Sequence, residues 1–415
     1  MTETLRICCN QERAIKQLSA NTGKARHAGR RSRSCSLCRF CTQALLLLIL
    51  VIVLLLTGCS PTRNWQAALL AMDIAAGTEP SRLKKTTAAP SRSEQTFQVD
   101  GSQYRGDLYL PADRVQAGLL LVPGAAERGK DDPRLVAFAT TLARVGFAVL
   151  VPDLPGLREL QVNADDIGQI RDVFGYLLGR EELAPGQTAG IGAFSYAAGP
   201  AVLAAAEPRM AGKTGFLLSV GGYYSIRDVL IFITTGDYRL DDEWRHMQPN
   251  PYGKWVFVKS NLQFLDQPSD RRLFRRMIER KRSDLEAPLD DLAGRLTGQG
   301  QTLYRFVTNT ERARFDRLYT ALPEAIRAEA AKLDLADHNL DRLEAHLILV
   351  HGYDDTIIPY TESIALKRAL PDGQAELYLV DGLMHVDAEP GLVGKWRMWR
   401  ALTSLLEQRD RVQSP

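Results

Sequence analysis

Apolar positions fall along this chain in two rhythms. From Thr96 onward, short unbroken apolar runs alternate with longer stretches in which apolar residues recur at helical spacing. Gly118–Val122, Phe147–Val151, Thr188–Ala193, Gly215–Val220, His346–Val350 and Ala375–Val380 read as strands buried on both faces. Thr96–Val99 and Leu108–Leu110 read as an opening pair of strands. Leu135–Val145, Ala164–Leu178, Ala198–Ala206 and Val393–Glu407 read as helices. Buried strands alternating with helices predict an α/β fold with a mostly parallel sheet covered on both sides.

The rhythm breaks between Val220 and Leu343, where a crossover of a dozen or so residues would suffice. The stretch is mainly helical and charged. Its run Arg271 to Arg282 is read as a solvated helix face, though arginines of this kind also meet phosphates or lipid headgroups.

The first residues follow a different pattern. Residues 1–43 are polar and basic, with Arg30, Arg31, Arg33 and Arg39 close together, and Ala44 to Leu56 is unbroken Ala, Leu, Ile and Val. As a helix that run spans roughly 20 Å, short of the ~30 Å hydrocarbon core of a bilayer. A basic segment before a short apolar run predicts an export signal. Residues 60–95 are predicted to be a flexible tether, with a short helix over Trp65–Ala76 and a stretch rich in Ser, Thr, Pro and Lys after it. An irregular extension packed on the domain is the other reading.

Composition changes little in this picture. The 415 residues are 45% apolar and 24% charged, as in ordinary soluble domains, and much of the basic excess behind the net charge of +3 sits in the leader. No basic field points to nucleic acid. All six cysteines (Cys8, Cys9, Cys35, Cys38, Cys41 and Cys59) lie at or before Cys59. The Cys35, Cys38, Cys41 spacing has no second ligand cluster, so no metal site is expected. No Walker loop or dinucleotide fingerprint is present, and no cofactor is implied.

Three residues carry the candidate chemistry. Ser195 stands just past a strand end, in Gly192-Ala193-Phe194-Ser195-Tyr196-Ala197-Ala198-Gly199. Asp354 and Asp355 follow another strand, in His351-Gly352-Tyr353-Asp354-Asp355-Thr356-Ile357-Ile358-Pro359. His385 follows the last strand, in Asp381-Gly382-Leu383-Met384-His385. A serine hydroxyl is a poor nucleophile until an imidazole takes its proton, and that imidazole needs a third group to hold its tautomer. Of the six histidines, His27 is in the leader, His246 and His338 lie in the long insertion, His346 opens a strand and His351 sits in a turn. Elimination and position favour His385. The plainer reading of Ser195 is a helix-capping serine.

Order and contexts together resemble the α/β-hydrolase family, in which Ser, then an acid, then His is the chain order of the triad. The resemblance covers residues 96–410. Ser195 sits in a variant of the G-x-S-x-G elbow with Ala193 and Ala197 in place of glycine, and Asp153-Leu154-Pro155-Gly156 resembles the family's D-x-P-G loop. The resemblance implies Ser195 as nucleophile, His385 as base and Asp355 as acid, with Asp354 the competitor for that last role. It also implies an oxyanion hole from the backbone N–H groups of Tyr196 and Ala125, the latter in Pro123-Gly124-Ala125-Ala126. In the family, insertions at this point of the chain form a cap. The expected organisation is therefore a core over 96–222 and 343–415, with a helical lid over 223–342. Tyr223 and Tyr224 at the lid's start either line an acyl pocket or belong to the core.

Leu56-Thr57-Gly58-Cys59 is similar to the bacterial lipobox. That resemblance implies a signal peptide over 1–58, lipidation of Cys59, and an exported protein held at the outer membrane facing the periplasm. An uncleaved inner-membrane signal anchor is the alternative. The function implied is hydrolysis of a small-molecule or lipid ester through an acyl-enzyme. A serine peptidase of the same fold and a catalytically silent binding lipoprotein are the alternatives. Acyl-chain length, leaving group and oligomeric state are not encoded in these motifs.

Overall fold

The structure is a computed structural model that describes residues 60–412, apart from 386 and 389. The basic leader, the apolar run 44–56 and Cys59 lie outside the described residues.

An eight-stranded sheet organises the chain, in the order β1-β2-β4-β3-β5-β6-β9-β10. The strands are β1 (Ser91–Val99), β2 (Ser102–Leu110), β3 (Ala117–Val122), β4 (Phe147–Pro152), β5 (Ala189–Phe194), β6 (Thr214–Val220), β9 (His346–Gly352) and β10 (Ala375–Val380). A small antiparallel hairpin, β7 (Asp237–Leu240) with β8 (Glu243–His246), stands apart from it. β1 pairs antiparallel with β2, and β2 antiparallel with β4, whereas every pair from β4 to β10 is parallel. Successive side chains of a strand point to opposite faces. Leu120 and Val122 therefore enter one hydrophobic cluster while Leu119 and Leu121 enter the other. This is why the inner strands are apolar without alternation: both faces are covered.

Helices close both faces. They are α1 (Pro61–Ala76), α2 (Arg82–Thr86), α3 (Pro133–Arg144), α4 (Pro155–Arg158), α5 (Asp165–Leu178) and α6 (Ala198–Ala206), then, after the insertion, α14 (Thr361–Arg368) and α15 (Leu392–Arg411). The insertion between β6 and β9 contributes α7 (Ile226–Thr235), α8 (Tyr252–Asn261), α9 (Pro268–Ser283), α10 (Asp290–Ala293), α11 (Gly298–Val307), α12 (Arg312–Ala321) and α13 (Glu324–Leu333). Its arginine-rich helix α9 buries Asp270, Leu273, Phe274, Met277 and Ile278, which leaves most of the arginines on the outer face. The hairpin β7–β8 is an addition to the mainly helical insertion expected from sequence.

The expected tether over 60–95 is corrected. Residues 61–76 form α1, whose Ala67, Leu70 and Asp73 are fully buried. Asp73 accepts from Thr141 Oγ1 at 2.6 Å and pairs with Lys84 at 2.9 Å, fastening α1 to α3 and α2. Asn64 O accepts from Trp399 Nε1 at 3.0 Å on α15. The following polar residues from Ser91 become β1, an edge strand paired with β2 along its whole length. Polar composition concealed this order because an edge strand keeps its outer face in water.

Candidate active site

The position of Ser195 follows from the strand that delivers it. β5 runs through the centre of the sheet, and the chain must turn sharply at its end to enter α6. Ser195 makes that turn at φ +56°, a left-handed conformation a serine adopts only under constraint. Ala193 and Ala197, flanking it, are both buried. Gly199 is obligatory for another reason: a Cβ there would run into the ring of Tyr223. Across the turn, a Cβ on Gly124 would stand 3.2 Å from Phe194 O and 3.3 Å from Ser195 Cβ. The Pro123–Ala126 loop thus passes directly against Ser195 at Gly124.

The acid is held from its own loop. Asp355 Oδ1 accepts from the N–H groups of Ile357 at 2.8 Å and Ile358 at 3.0 Å, which leaves Oδ2 for histidine. His385 Nδ1 lies 2.8 Å from Asp355 Oδ2, and His385 Nε2 lies 2.7 Å from Ser195 Oγ. Burial opposes the charge on Asp355, but hydrogen bonds from His351 and His385 outweigh it and keep the carboxyl well below the usual carboxylate range. His385 is itself left-handed, at φ +57°. Its loop is set by Gly352, where a Cβ would collide with Leu383 O, two residues before the histidine. Asp354 serves elsewhere in the loop, where its Oδ2 accepts the Gly382 N–H at 3.0 Å.

Sequence reasoning missed Gly221 and His351. Gly221, at φ +63°, ends β6 beside the acid and base, and a Cβ there would stand 3.4 Å from Asp355 Oδ2 and 3.5 Å from His385 Nδ1. The only signal was a Gly-Gly pair after a strand. His351, fully buried, reaches Asp355 Oδ2 at 3.4 Å through Nε2.

The insertion closes over this edge of the sheet. Tyr252 Oη donates to Ala125 O at 3.4 Å, and Arg282 pairs with Glu127. A small apolar pocket is lined by Tyr196, next to Ser195 in the chain, and by Ile226, Val229, Leu230, Ile233, Val256 and Phe257 of α7 and α8. Its polar members are already engaged: Ser260 Oγ accepts Val162 N at 2.9 Å, and Glu329 Oε1 accepts Ala164 N at 2.7 Å. Tyr223 is core, donating to Leu333 O at 3.0 Å, and neither it nor Tyr224 lines the pocket. Among the described residues no cluster of three or more His, Cys, Asp or Glu is placed to hold a metal ion.

No protein-family model matches the chain, and no curated protein matches it in sequence. Solved structures do. A provisionally named hydrolase from Legionella pneumophila superposes with a TM-score of 0.51 at 13% identity, covering 80% of this chain and 94% of that one. An acylaminoacyl peptidase from Pyrococcus horikoshii gives 0.41 at 14%, over 78% of this chain and 42% of its own. A dienelactone hydrolase from Anabaena variabilis gives 0.40 at 14%, over 77% and 99%. This chain thus spans under half the length of the peptidase. Strand order, crossover pattern and the Legionella likeness together make this an α/β-hydrolase fold.

Proposed function

We propose that the chain is a serine hydrolase that cleaves carboxylic ester or related acyl bonds through an acyl-enzyme. The observation that carries this reading is the unbroken hydrogen-bonded path from Ser195 Oγ through His385 to Asp355, at 2.7 and 2.8 Å. In the proposed sequence, Ser195 Oγ attacks the acyl carbon while His385 Nε2 takes its proton. Asp355 holds the imidazole through Nδ1 and stabilises the imidazolium. The Tyr196 and Ala125 N–H groups stabilise the oxyanion. His385 returns the proton to the leaving oxygen, and water releases the acid by the reverse route. The apolar pocket beside Tyr196 supports an apolar acyl portion.

The test is covalent. A fluorophosphonate should modify Ser195, as mapped by mass spectrometry, and the adduct should vanish in His385→Ala. An inert Ser195 in a folded chain would favour the silent binding protein. Turnover of p-nitroanilides in preference to p-nitrophenyl esters would favour the peptidase.

For the N-terminus, the proposal is export, cleavage before Cys59 and lipidation of that cysteine, with attachment to the outer membrane. Intact mass of the membrane-extracted protein tests it. A lipid mass increment that persists in Cys59→Ser, or no increment at all, would sink it.

A further inference from the structure

Helix α15 departs from the usual pattern in its first two turns. Its inner side is sound: Gly394 packs so closely on the end of β10 that a Cβ would stand 2.8 Å from Asp381 O, and Ala401, Leu402 and Leu405 are buried. On a surface helix the opposite side should be polar. Here it carries Leu392, Val393 and Trp396, exposed to 87%, 55% and 54%, and Met384, the residue before His385, is 61% exposed nearby in the chain. Single exposed apolar residues are ordinary, but a cluster of large ones is not.

Along the helix turns that carry Leu392, Val393 and Trp396 the charges have one sign, while Met384 pairs across its hairpin with Asp387. Pro390 to Leu406 contains no acid but holds Lys395, Arg397 and Arg400. Arg400 lies over the Trp396 ring at 5.6 Å, and Lys395 and Arg400 are exposed. Arg397 turns inward to Leu379 O at 2.7 Å and to Asp381 at 3.6 Å. The other acids nearest in sequence are Asp387 and Glu389. Trp, Leu and Val flanked by Lys and Arg match the apolar boundary and anionic headgroups of a phospholipid surface.

The first helix of the described chain packs on α15 as well. Trp399 Nε1 donates to Asn64 O at 3.0 Å, and Asn64 N donates to Ser60 O at 3.1 Å. Ser60, which directly follows Cys59 in the sequence, thus lies one turn along α1 from the residue that meets Trp399.

We propose that the face formed by Met384, Leu392, Val393 and Trp396, with Lys395 and Arg400, docks on an anionic phospholipid bilayer and so brings the His385 loop to the lipid surface. The proposal is independent of what Ser195 does, so its failure and that of the hydrolase reading are separately visible.

The full chain would be reconstituted with vesicles of phosphatidylcholine and phosphatidylglycerol whose acyl chains carry bromine, and its tryptophan emission recorded. Of the five tryptophans, Trp396 should supply most of the quench: it should largely vanish in Trp396→Phe and persist in Trp244→Phe and Trp255→Phe. Leu392→Asp with Val393→Asp should abolish it without changing the far-ultraviolet circular dichroism. With Cys59→Ser, vesicle binding by Lys395→Gln or Arg400→Gln should weaken roughly fivefold per charge removed. A vesicle-bound chain whose quench is unchanged in Trp396→Phe would overturn the proposal. So would a chain that does not bind vesicles, or one in which a second copy or its own N-terminal segment covers Trp396.

Discussion

His351 Nε2 lies 3.4 Å from Asp355 Oδ2, the oxygen that His385 Nδ1 meets at 2.8 Å. One buried carboxylate oxygen therefore faces two imidazoles. His351 Nε2 also lies 2.9 Å from Ile358 O, and because a carbonyl only accepts, that nitrogen is assigned the proton. Nδ1 then accepts from Ser363 Oγ at 2.7 Å. On the hydrolase reading proposed above, His351 is a positioning residue for the acid.

His351→Phe keeps the bulk and removes the polar contacts to Asp355, Ile358 and Ser363. Leaving buried acceptors unpaired should cost about 1–3 kcal/mol of stability, and kcat should fall about tenfold with KM held, as expected when an interaction is lost mainly in the transition state. The stability difference has a pH signature. The Asp355 carboxyl is depressed in the fold, so its contribution is present above the unfolded carboxylate pKa of about 3.9 and is lost as pH falls below that. Denaturation midpoints of wild type and His351→Phe should converge as pH falls below about 4. Curves that stay parallel would remove His351 from this role.

The adjacent acids should separate cleanly. Asp355→Asn should slow fluorophosphonate labelling and ester turnover about 10⁴-fold, because the imidazole loses its tautomer partner. Asp354→Asn removes only an exposed acceptor for the Gly382 N–H and should leave both rates within a few-fold of wild type. Equal losses in the two variants would contradict the geometry.

Gly352→Ala tests how the base is placed. The added methyl collides with Leu383 O, a backbone atom that cannot swing aside, so the His385 loop must shift. Small misplacement of a catalytic group is expensive in rate. Activity should fall about 10²-fold or more while Ser195, Asp355 and the sheet remain. A steady-state assay beside circular dichroism reads both, and wild-type turnover by a folded Gly352→Ala would show that the loop tolerates the displacement.

Glu362 ties the start of the insertion to α14. It is buried, and its Oε2 accepts the N–H groups of Tyr224 at 3.0 Å and Ser225 at 2.8 Å. Burial outweighs these bonds and pushes the carboxyl up to about 8. The folded chain therefore keeps a proton that the unfolded chain releases near pH 4.3. Between that value and about 8 stability must fall as pH rises, and above it the loss is complete. Glu362→Gln carries no such proton. Its urea midpoint relative to wild type should rise from pH 5 to pH 8 and then level. A flat difference would show that Glu362 is ionised throughout.

The sequence by itself determined the fold class and the candidate triad. The reason is local in each case. Buried strands such as β3 and β5 must be apolar without alternation. Ser195 is announced by small neighbours, because a sharp strand-to-helix turn leaves no room for larger ones. Asp355 and His385 each follow a strand at short range, so strand detection also located them. Other features arise only from tertiary contact. A helix over Trp65–Ala76 was legible, but only its packing on α15 shows that it belongs to the domain, and the polar β1 edge strand shows its order only through pairing with β2. The roles of Gly221 and Gly352 depend on backbone from distant loops arriving within van der Waals reach. Which of Asp354 and Asp355 meets His385 depends on which carboxylate faces the buried side of one turn. The pairing of His351 with Asp355, and the outward apolar face at Trp396, depend likewise on which side of an element the rest of the molecule covers.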